Sequence, residues 1–247
     1  MTDTVLFKTE GHVAYLILNN PARHNSLGET ELAALQAYTD QIAADEQLRV
    51  LVLTGAGDKT FCAGAALHEL GSGQISSDFF QATTDKIASL KIPTICALNG
   101  NVFGGGVELA LSCDFRLGVE GTRLRVPAAQ IGLCYPLGGM QRFVARLGVN
   151  LAKRILVAAE EFDAPAMLHI GFLDHLVSRE ELEPRTAALA TNIAGLAPLA
   201  VQAMKQILTG ADAEQARELA LGCANSTDLQ EGFAAQREKR RPHFSGR

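Results

Sequence analysis

Tryptophan is absent from the 247 residues, and Phe, Trp and Tyr together make up 6% of them. So few aromatics leave little from which to build a base-stacking platform for single-stranded nucleic acid. Cationic excess is missing too: 22 Lys and Arg face 27 Asp and Glu, a formal net charge of −5. General nucleic-acid and membrane-surface binding draw on clustered cations, so neither partner is expected. The five cysteines, Cys62, Cys96, Cys113, Cys134 and Cys223, are scattered and form no Cys-x-x-Cys pair. An odd, unpatterned set argues against a disulfide framework and against a structural zinc site, and no metal is expected. No apolar run reaches the ~18 residues that suggest a membrane span. The N-terminal MTDTVLFKTEG lacks the basic and apolar regions of a secretion signal, so a reducing, cytoplasmic location is the expectation.

Several catalytic signatures are missing as well. Gly55-Ala56-Gly57-Asp58-Lys59-Thr60 mimics a phosphate loop, but its glycine spacing before Lys-Thr is wrong. There is no Gly-x-Ser-x-Gly elbow, and His68-Glu69 is not followed by the second histidine of a zinc-protease helix. The six histidines are dispersed, with no ligand spacing among them.

What is present is an ordinary globular composition, 47% apolar and 20% charged, in a length that suits one layered α/β unit with a large core. Val13–Leu18, Val50–Leu53 and Thr94–Leu98 are short apolar runs bounded by turn residues and read as buried strands. Phe115–Leu117 and Leu124–Val126 read as later, shorter ones. Leu32, Leu35, Tyr38 and Ile42 recur at helical spacing and predict a helix over 29–46. Asp163-Ala164-Pro165 is a helix start, with Gly171 as its stop. Helices are predicted over 181–195, 198–208 and 213–224, followed by a charged amphipathic tail at 227–240. The expected arrangement is one continuous domain: an α/β core over 1–190 and a helical region over 191–247.

The strongest chemical feature is TICALNGNVFGGGVELALS at 94–112, where Gly104, Gly105 and Gly106 follow a buried strand and open an apolar helix. Glycines admit a ligand close to the backbone, and a helix start presents unpaired N–H groups. That combination suits negative charge developing on a carbonyl oxygen. Glu108 projects from nearly the same face as Gly105, as a general acid/base or as a carboxylate that only complements the helix dipole. A second strand-to-turn segment, VLVLTGAGDKTFCAGAALHEL at 50–70, carries the small residues Ala63, Gly64, Ala65 and Ala66. Each element can lend one N–H to the same oxyanion. In the third segment, VPAAQIGLCYPLGGMQR at 126–142, Tyr135 is either a phenol donor or a half-buried aromatic.

At these residues the chain resembles the crotonase (enoyl-CoA hydratase/isomerase) superfamily. The resemblance runs in order through NNPARHNSL (19–27), FCAGAAL (61–67), NGNVFGGGVELALSCDFRL (99–117), IGLCYPLGG (131–139) and the tail STDLQEGFAAQREKRRPHF (226–244). It implies a spiral of ββα turns with a helical C-terminal oligomerisation region, a homotrimer or homohexamer, and an acyl-CoA substrate whose enolate is stabilised at the thioester oxygen. Coenzyme A enters as part of that substrate, with no separate cofactor. Carried over by residue, the resemblance makes the N–H groups of Ala65 and Gly105 the oxyanion donors, Glu108 the acid/base and Tyr135 a helper. It places CoA near Arg23, His24, Ala63, Ala66 and Leu67, and lets Lys239 and Phe244 of the tail touch it, from the same or a neighbouring subunit. Hydratases of this superfamily use a second glutamate, and this chain has Ala128 there. A branch that decarboxylates methylmalonyl-CoA is similar at HELGSG (68–73) and QIGLCY (130–135), but carries histidine where Ala65 stands. A non-catalytic acyl-CoA binder or an RNA-binding relative is the reading from another class, and the acidic balance disfavours RNA.

Alanine transfers no proton, and a phenol with an unperturbed pKa near ~10 is a poor base at neutral pH. The natural chain is therefore expected to hydrate crotonyl-CoA slowly and Ala128→Glu to hydrate it faster, compared as purified proteins. Fast hydration by the natural chain would show that another group orients the water.

Overall fold

The computed structural model describes residues 3–247. β1 (Val5–Glu10) and β2 (Val13–Leu18) form an antiparallel hairpin, and α1 (Glu29–Ala44) follows. The chain then repeats one pattern. β3 (Val50–Gly55) leads to β4 (Thr60–Cys62) and the helices α2 (Leu67–Ser72) and α3 (Ser77–Ala88). β5 (Thr94–Leu98) leads to β6 (Asn101–Phe103) and α4 (Gly105–Leu111), and β7 (Phe115–Val119) leads to β8 (Arg123–Arg125) and α5 (Leu137–Leu156). β9 (Phe162–Asp163), α6 (Ala164–His169) and β10 (His175–Val177) close the core, and α7 (Arg179–Ala194), α8 (Pro198–Leu208), α9 (Ala213–Ala224) and α10 (Thr227–Glu238) complete the chain.

In each repeat the first strand joins a larger sheet and the second a smaller one. The larger sheet has the order β1-β2-β3-β5-β7-β10, parallel from β2 onward; the smaller has the order β4-β6-β8-β9. This is the expected spiral of ββα turns. Successive strand residues point to opposite faces, which is why the larger sheet is apolar on both sides. Leu51 and Leu53 enter the main core with Leu16, Phe61 and Leu109, whereas Val50 and Val52 join Ile95 and Leu117 against Leu182 and Ile193 of α7. Among the described residues, no single helix is long and apolar enough to cross a membrane.

The strands expected over 13–18, 50–53 and 94–98 are present, and the predicted helices lie within two residues of their expected ends, Glu29–Ala44 and Arg179–Ala194 among them. The periodicity does not announce α3 or α5. It also passes over the short strands β4, β6, β9 and β10, because two or three residues hold no period to detect. In the C-terminal region, Asp228 accepts the N–H groups of Ser245 and Gly246 at 2.7 and 2.9 Å, and Arg49 donates to the Phe244 carbonyl at 2.8 Å. The tail is thereby held back against the core.

One buried side chain ties the 20–25 turn to the smaller sheet. Asn25 is 1% exposed and left-handed, with φ of 53°, a region Asn tolerates better than most residues. Its Oδ1 accepts from Asn20 N at 2.9 Å, and its Nδ2 donates to the carbonyls of Ala56 and Thr60 at 3.0 and 2.9 Å. Asn25→Ala leaves these partners unsatisfied and is expected to cost about 2–4 kcal/mol in denaturant unfolding. A loss below about 0.5 kcal/mol, the ordinary scale of a surface change, would show that the turn holds without it.

Candidate active site

β4 and β6 are parallel neighbours, so the chain leaves both strands at the same edge of the smaller sheet. The 63–66 turn and the start of α4 therefore lie side by side. Gly64, at φ +84°, makes the approach possible: a Cβ there would stand 2.5 Å from Gly105 N and 2.9 Å from Phe103 O. The turn is clamped from behind. Ala63 N donates to His24 O at 3.0 Å, Leu27 N to Gly64 O at 2.8 Å, and Ala66 N to Leu27 O at 2.8 Å. Gly64 N is turned onto Cys62 Sγ at 3.3 Å. Burial pushes the Cys62 thiol up to about 12, so it is no nucleophile near neutral pH. The N–H groups of Ala65, within the turn, and of Gly105, in the first turn of α4, donate no hydrogen bond among the described residues.

Ala65 and Gly105 line one cavity of about 50 Å³. The ring of Phe80 from α3 covers Gly105 so closely that a Cβ on that glycine would meet Cζ at 2.4 Å. Leu70, Leu133 and Pro136 add apolar wall, and Glu108 and Tyr135 complete the site. Glu108 is the charged residue of this lining, 1% exposed. Its Oε1 lies 3.0 Å from Thr84 Oγ1 and 3.3 Å from Arg142 Nη1. Burial raises its pKa above the ordinary 4.5; the Thr84 hydrogen bond and the Arg142 charge oppose that rise, and Asp85 adds to it. Burial likewise pushes the Tyr135 phenol up, and the nearby Glu108 charge adds to it. Tyr135, half-buried and edge-on to Phe143 at 5.9 Å, is thus held neutral.

The structure brings Ala65, Gly105, Glu108 and Tyr135 together and leaves the other candidates outside this cavity. His24 and Ala63 line a separate cleft of about 470 Å³ that also presents Lys59, Arg123 and Arg179. His24 is left-handed, with Nδ1 3.0 Å from Thr60 Oγ1. Arg23 is exposed and stands 3.9 Å from Glu69 Oε1. Ala66 is buried at the cap of α2, and Leu67, the first residue of that helix, is exposed. Lys239 caps α10 in the left-handed region. The Phe244 ring faces Gly232 of α10 in a groove with Ala197 and Leu199, so within one chain neither tail residue reaches the cavity. Ala128 is buried in the main core and opens a short 3-10 turn at 128–131.

Sequence reasoning missed Phe80, Thr84 and Arg142. Phe80 and Thr84 lie on α3, whose pattern gave no warning of a site. Arg142 follows Gly138-Gly139, and that pair was its one signal: a Cβ on Gly139 would stand 3.0 Å from Glu108 Oε2.

Comparison with known proteins agrees over nearly the whole chain. The pattern of the enoyl-CoA hydratase/isomerase family matches residues 8–247. The chain is 32% identical over 211 residues to the short-chain-enoyl-CoA hydratase of Clostridium acetobutylicum, covering 83% of this chain and 81% of that protein. It is 30% identical over 258 residues to the crotonyl-CoA hydratase of Syntrophomonas wolfei, covering 98% of each. A crystal structure of an enoyl-CoA hydratase from Bacillus anthracis superposes with a TM-score of 0.93 at 30% identity, over 99% of this chain and 100% of that one.

The approach of the two turns is directly testable. Gly64→Ala adds a Cβ against Gly105 N at a left-handed position, so it is expected to separate the turns. Turnover of acyl-CoA thioesters should fall by about a hundredfold or more while the circular dichroism of the fold persists. Turnover close to that of the natural chain would show that the cavity does not depend on this contact.

Proposed function

The chain belongs to the enoyl-CoA hydratase/isomerase family, and on that premise we propose that it binds an acyl-CoA thioester with the carbonyl oxygen between the N–H groups of Ala65 and Gly105. The observation that carries this reading is that two residues lining one largely apolar cavity, Ala65 and Gly105, have backbone N–H groups without an acceptor. A ground-state carbonyl accepts two such bonds, and the enolate oxygen accepts them more strongly, which is the difference that accelerates a reaction. Glu108 takes the proton next to the thioester carbonyl, and the C–H electron pair passes into the enolate. Returning that proton to a different carbon moves a double bond, and a single carboxylate suffices. Tyr135, held neutral, donates rather than accepts.

Hydration needs a group to orient and deprotonate water as well, and the position of the second glutamate is the buried Ala128. The arrangement therefore favours one-base proton transfer, double-bond isomerisation, over fast hydration. A malonyl-type decarboxylase fits less well. Its substrate brings a second carboxylate into a cavity whose one charged lining residue is Glu108, and like charges in so apolar a place repel. The small size of the apolar cavity, about 50 Å³, favours a short acyl group.

The same reading assembles copies of the chain through α8–α10, where Met204, Leu208 and Phe233 stand 57, 85 and 65% exposed. Such contacts bring Lys239 and Phe244 of one copy toward the CoA held by another.

Glu108→Gln is expected to lose at least about a hundredfold in kcat on a short 3-enoyl-CoA, with thermal stabilisation by the CoA thioester retained. In the natural chain, activity should fall as pH drops through a value above the ordinary carboxylate 4.5, because the protonated form cannot accept a proton. An unaffected rate in Glu108→Gln would return Glu108 to the role of a dipole-complementing residue. Thermal stabilisation by CoA thioesters with no turnover of any would mark a binder.

A further inference from the structure

Arg142 is the most heavily engaged charged side chain around Glu108, and the family premise gives it no role. It projects from the first half of α5 with its side chain 11% exposed. Nη1 lies 3.3 Å from Glu108 Oε1 and 3.2 Å from Thr84 Oγ1, and Nη2 is bonded to Asp85. A planar guanidinium can serve two such partners at once, which the point charge of a lysine cannot do in the same fixed geometry. The contacts are one-sided. Thr84 and Arg142 both address Oε1, and among the described residues no hydrogen bond reaches Oε2. Gly139 leaves the carboxylate its room, since a Cβ there would crowd both oxygens at 3.0–3.1 Å.

Resting on the reading of Glu108 as the base, we propose that Arg142 is its positioning residue: it grips Oε1, keeps the buried carboxylate ionised, and leaves Oε2 to take the substrate proton and give it back. The need is physical. A carboxylate this deeply buried drifts toward its neutral form, and with alanine at 128 no second carboxylate stands ready to replace it. The groups that face Glu108 are few. α3 contributes Thr84, a neutral donor, and Asp85, a negative charge that opposes ionisation and also anchors the guanidinium. α5 contributes Arg142. The 133–136 segment contributes the neutral Tyr135 phenol and the Cys134 thiol. Arg142 is thus the cation among them, and its loss has no substitute.

The test is the pH dependence of kcat on a short 3-enoyl-CoA for the natural chain, Arg142→Gln, Arg142→Lys and Thr84→Val. Arg142→Gln is expected to lose about tenfold to a hundredfold in kcat at neutral pH with KM changed far less. Its acidic limb should move up by about one pH unit or more, so that part of the rate returns in alkaline buffer. Arg142→Lys should fall between the two, with the charge kept and the fork lost. In a Glu108→Gln background, Arg142→Gln should change the residual rate little, because it acts through the missing carboxylate. A folded Arg142→Gln whose acidic limb stays in place overturns the proposal and leaves Arg142 a packing residue. If Arg142→Gln does not fold, Arg142→Lys decides, with Thr84→Val as the control that keeps the guanidinium: an Arg142→Lys whose kcat and acidic limb match those of the natural chain overturns the proposal equally. The two readings fail separately: a fast Glu108→Gln brings down the base, whereas a dead Glu108→Gln beside an unmoved limb brings down Arg142 alone.

Discussion

The approach of Gly64 to the N–H of Gly105 is the constraint on which the site depends. Two turns can come so close only where parallel neighbouring strands end at one edge and where neither backbone carries a side chain in the gap. β4 and β6 supply the first condition; the missing Cβ of Gly64 supplies the second. The rest of the core serves to hold those two short strands in place. The larger sheet, apolar on both faces, is the rigid member, and each of its strands β3, β5 and β7 hands the chain to a strand of the smaller sheet. The hydrogen bonds of Leu27 and Ala66 then use up the neighbouring backbone groups of the 63–66 turn, so that the N–H of Ala65, a residue lining the cavity, is left without an acceptor.

A dry, apolar cavity strengthens whatever polar groups remain in it, and it also threatens their ionisation. Glu108 shows both sides of that trade. Burial raises its pKa, and Thr84 and Arg142 work against the rise from a single oxygen. Tyr135 is subject to the same burial and stays neutral. Burial pushes both oxygen-bearing side chains toward their protonated forms, and Glu108 differs in having a hydrogen bond from Thr84 and the charge of Arg142 working against that push. Membership of the enoyl-CoA hydratase/isomerase family agrees with the proposed oxyanion site, and on that reading the alanine at 128 leaves Glu108 as the one carboxylate of the cavity.

The candidates for CoA recognition are distributed differently. His24 and Ala63 face a cleft with three cations, Lys59, Arg123 and Arg179, whereas Lys239 and Phe244 sit on the C-terminal region, whose outer helices expose Leu208 and Phe233. The proposed oxyanion cavity is built within one chain, beside the sheets. The proposed contacts to CoA are spread over turns and a tail, where distance from the core makes variation cheaper.

Much of this is legible in the sequence. The apolar runs at 13–18, 50–53 and 94–98 specified buried strands, because a strand covered on both faces has to be apolar throughout. The glycines at 104–106 and the small residues at 63–66 marked the two turns, because backbone donors stay reachable only where side chains are absent. Glu108 was visible from its spacing to Gly105 along a helix. The sequence could not show that the two turns meet, since β4 and β6 are three residues each and carry no period. Nor could it show which N–H groups remain free once the clamps at Leu27 and His24 have taken theirs. Phe80, Thr84 and Arg142 were hidden for a related reason: each is ordinary in its own helix and acquires a role only when α3 and α5 pack around Glu108. Local chemistry and the strand-and-helix alphabet were determined by the sequence alone, because they depend on neighbours along the chain. The meeting of Ala65 with Gly105, and the electrostatic setting of Glu108, were decided by the tertiary structure, because they depend on neighbours in space.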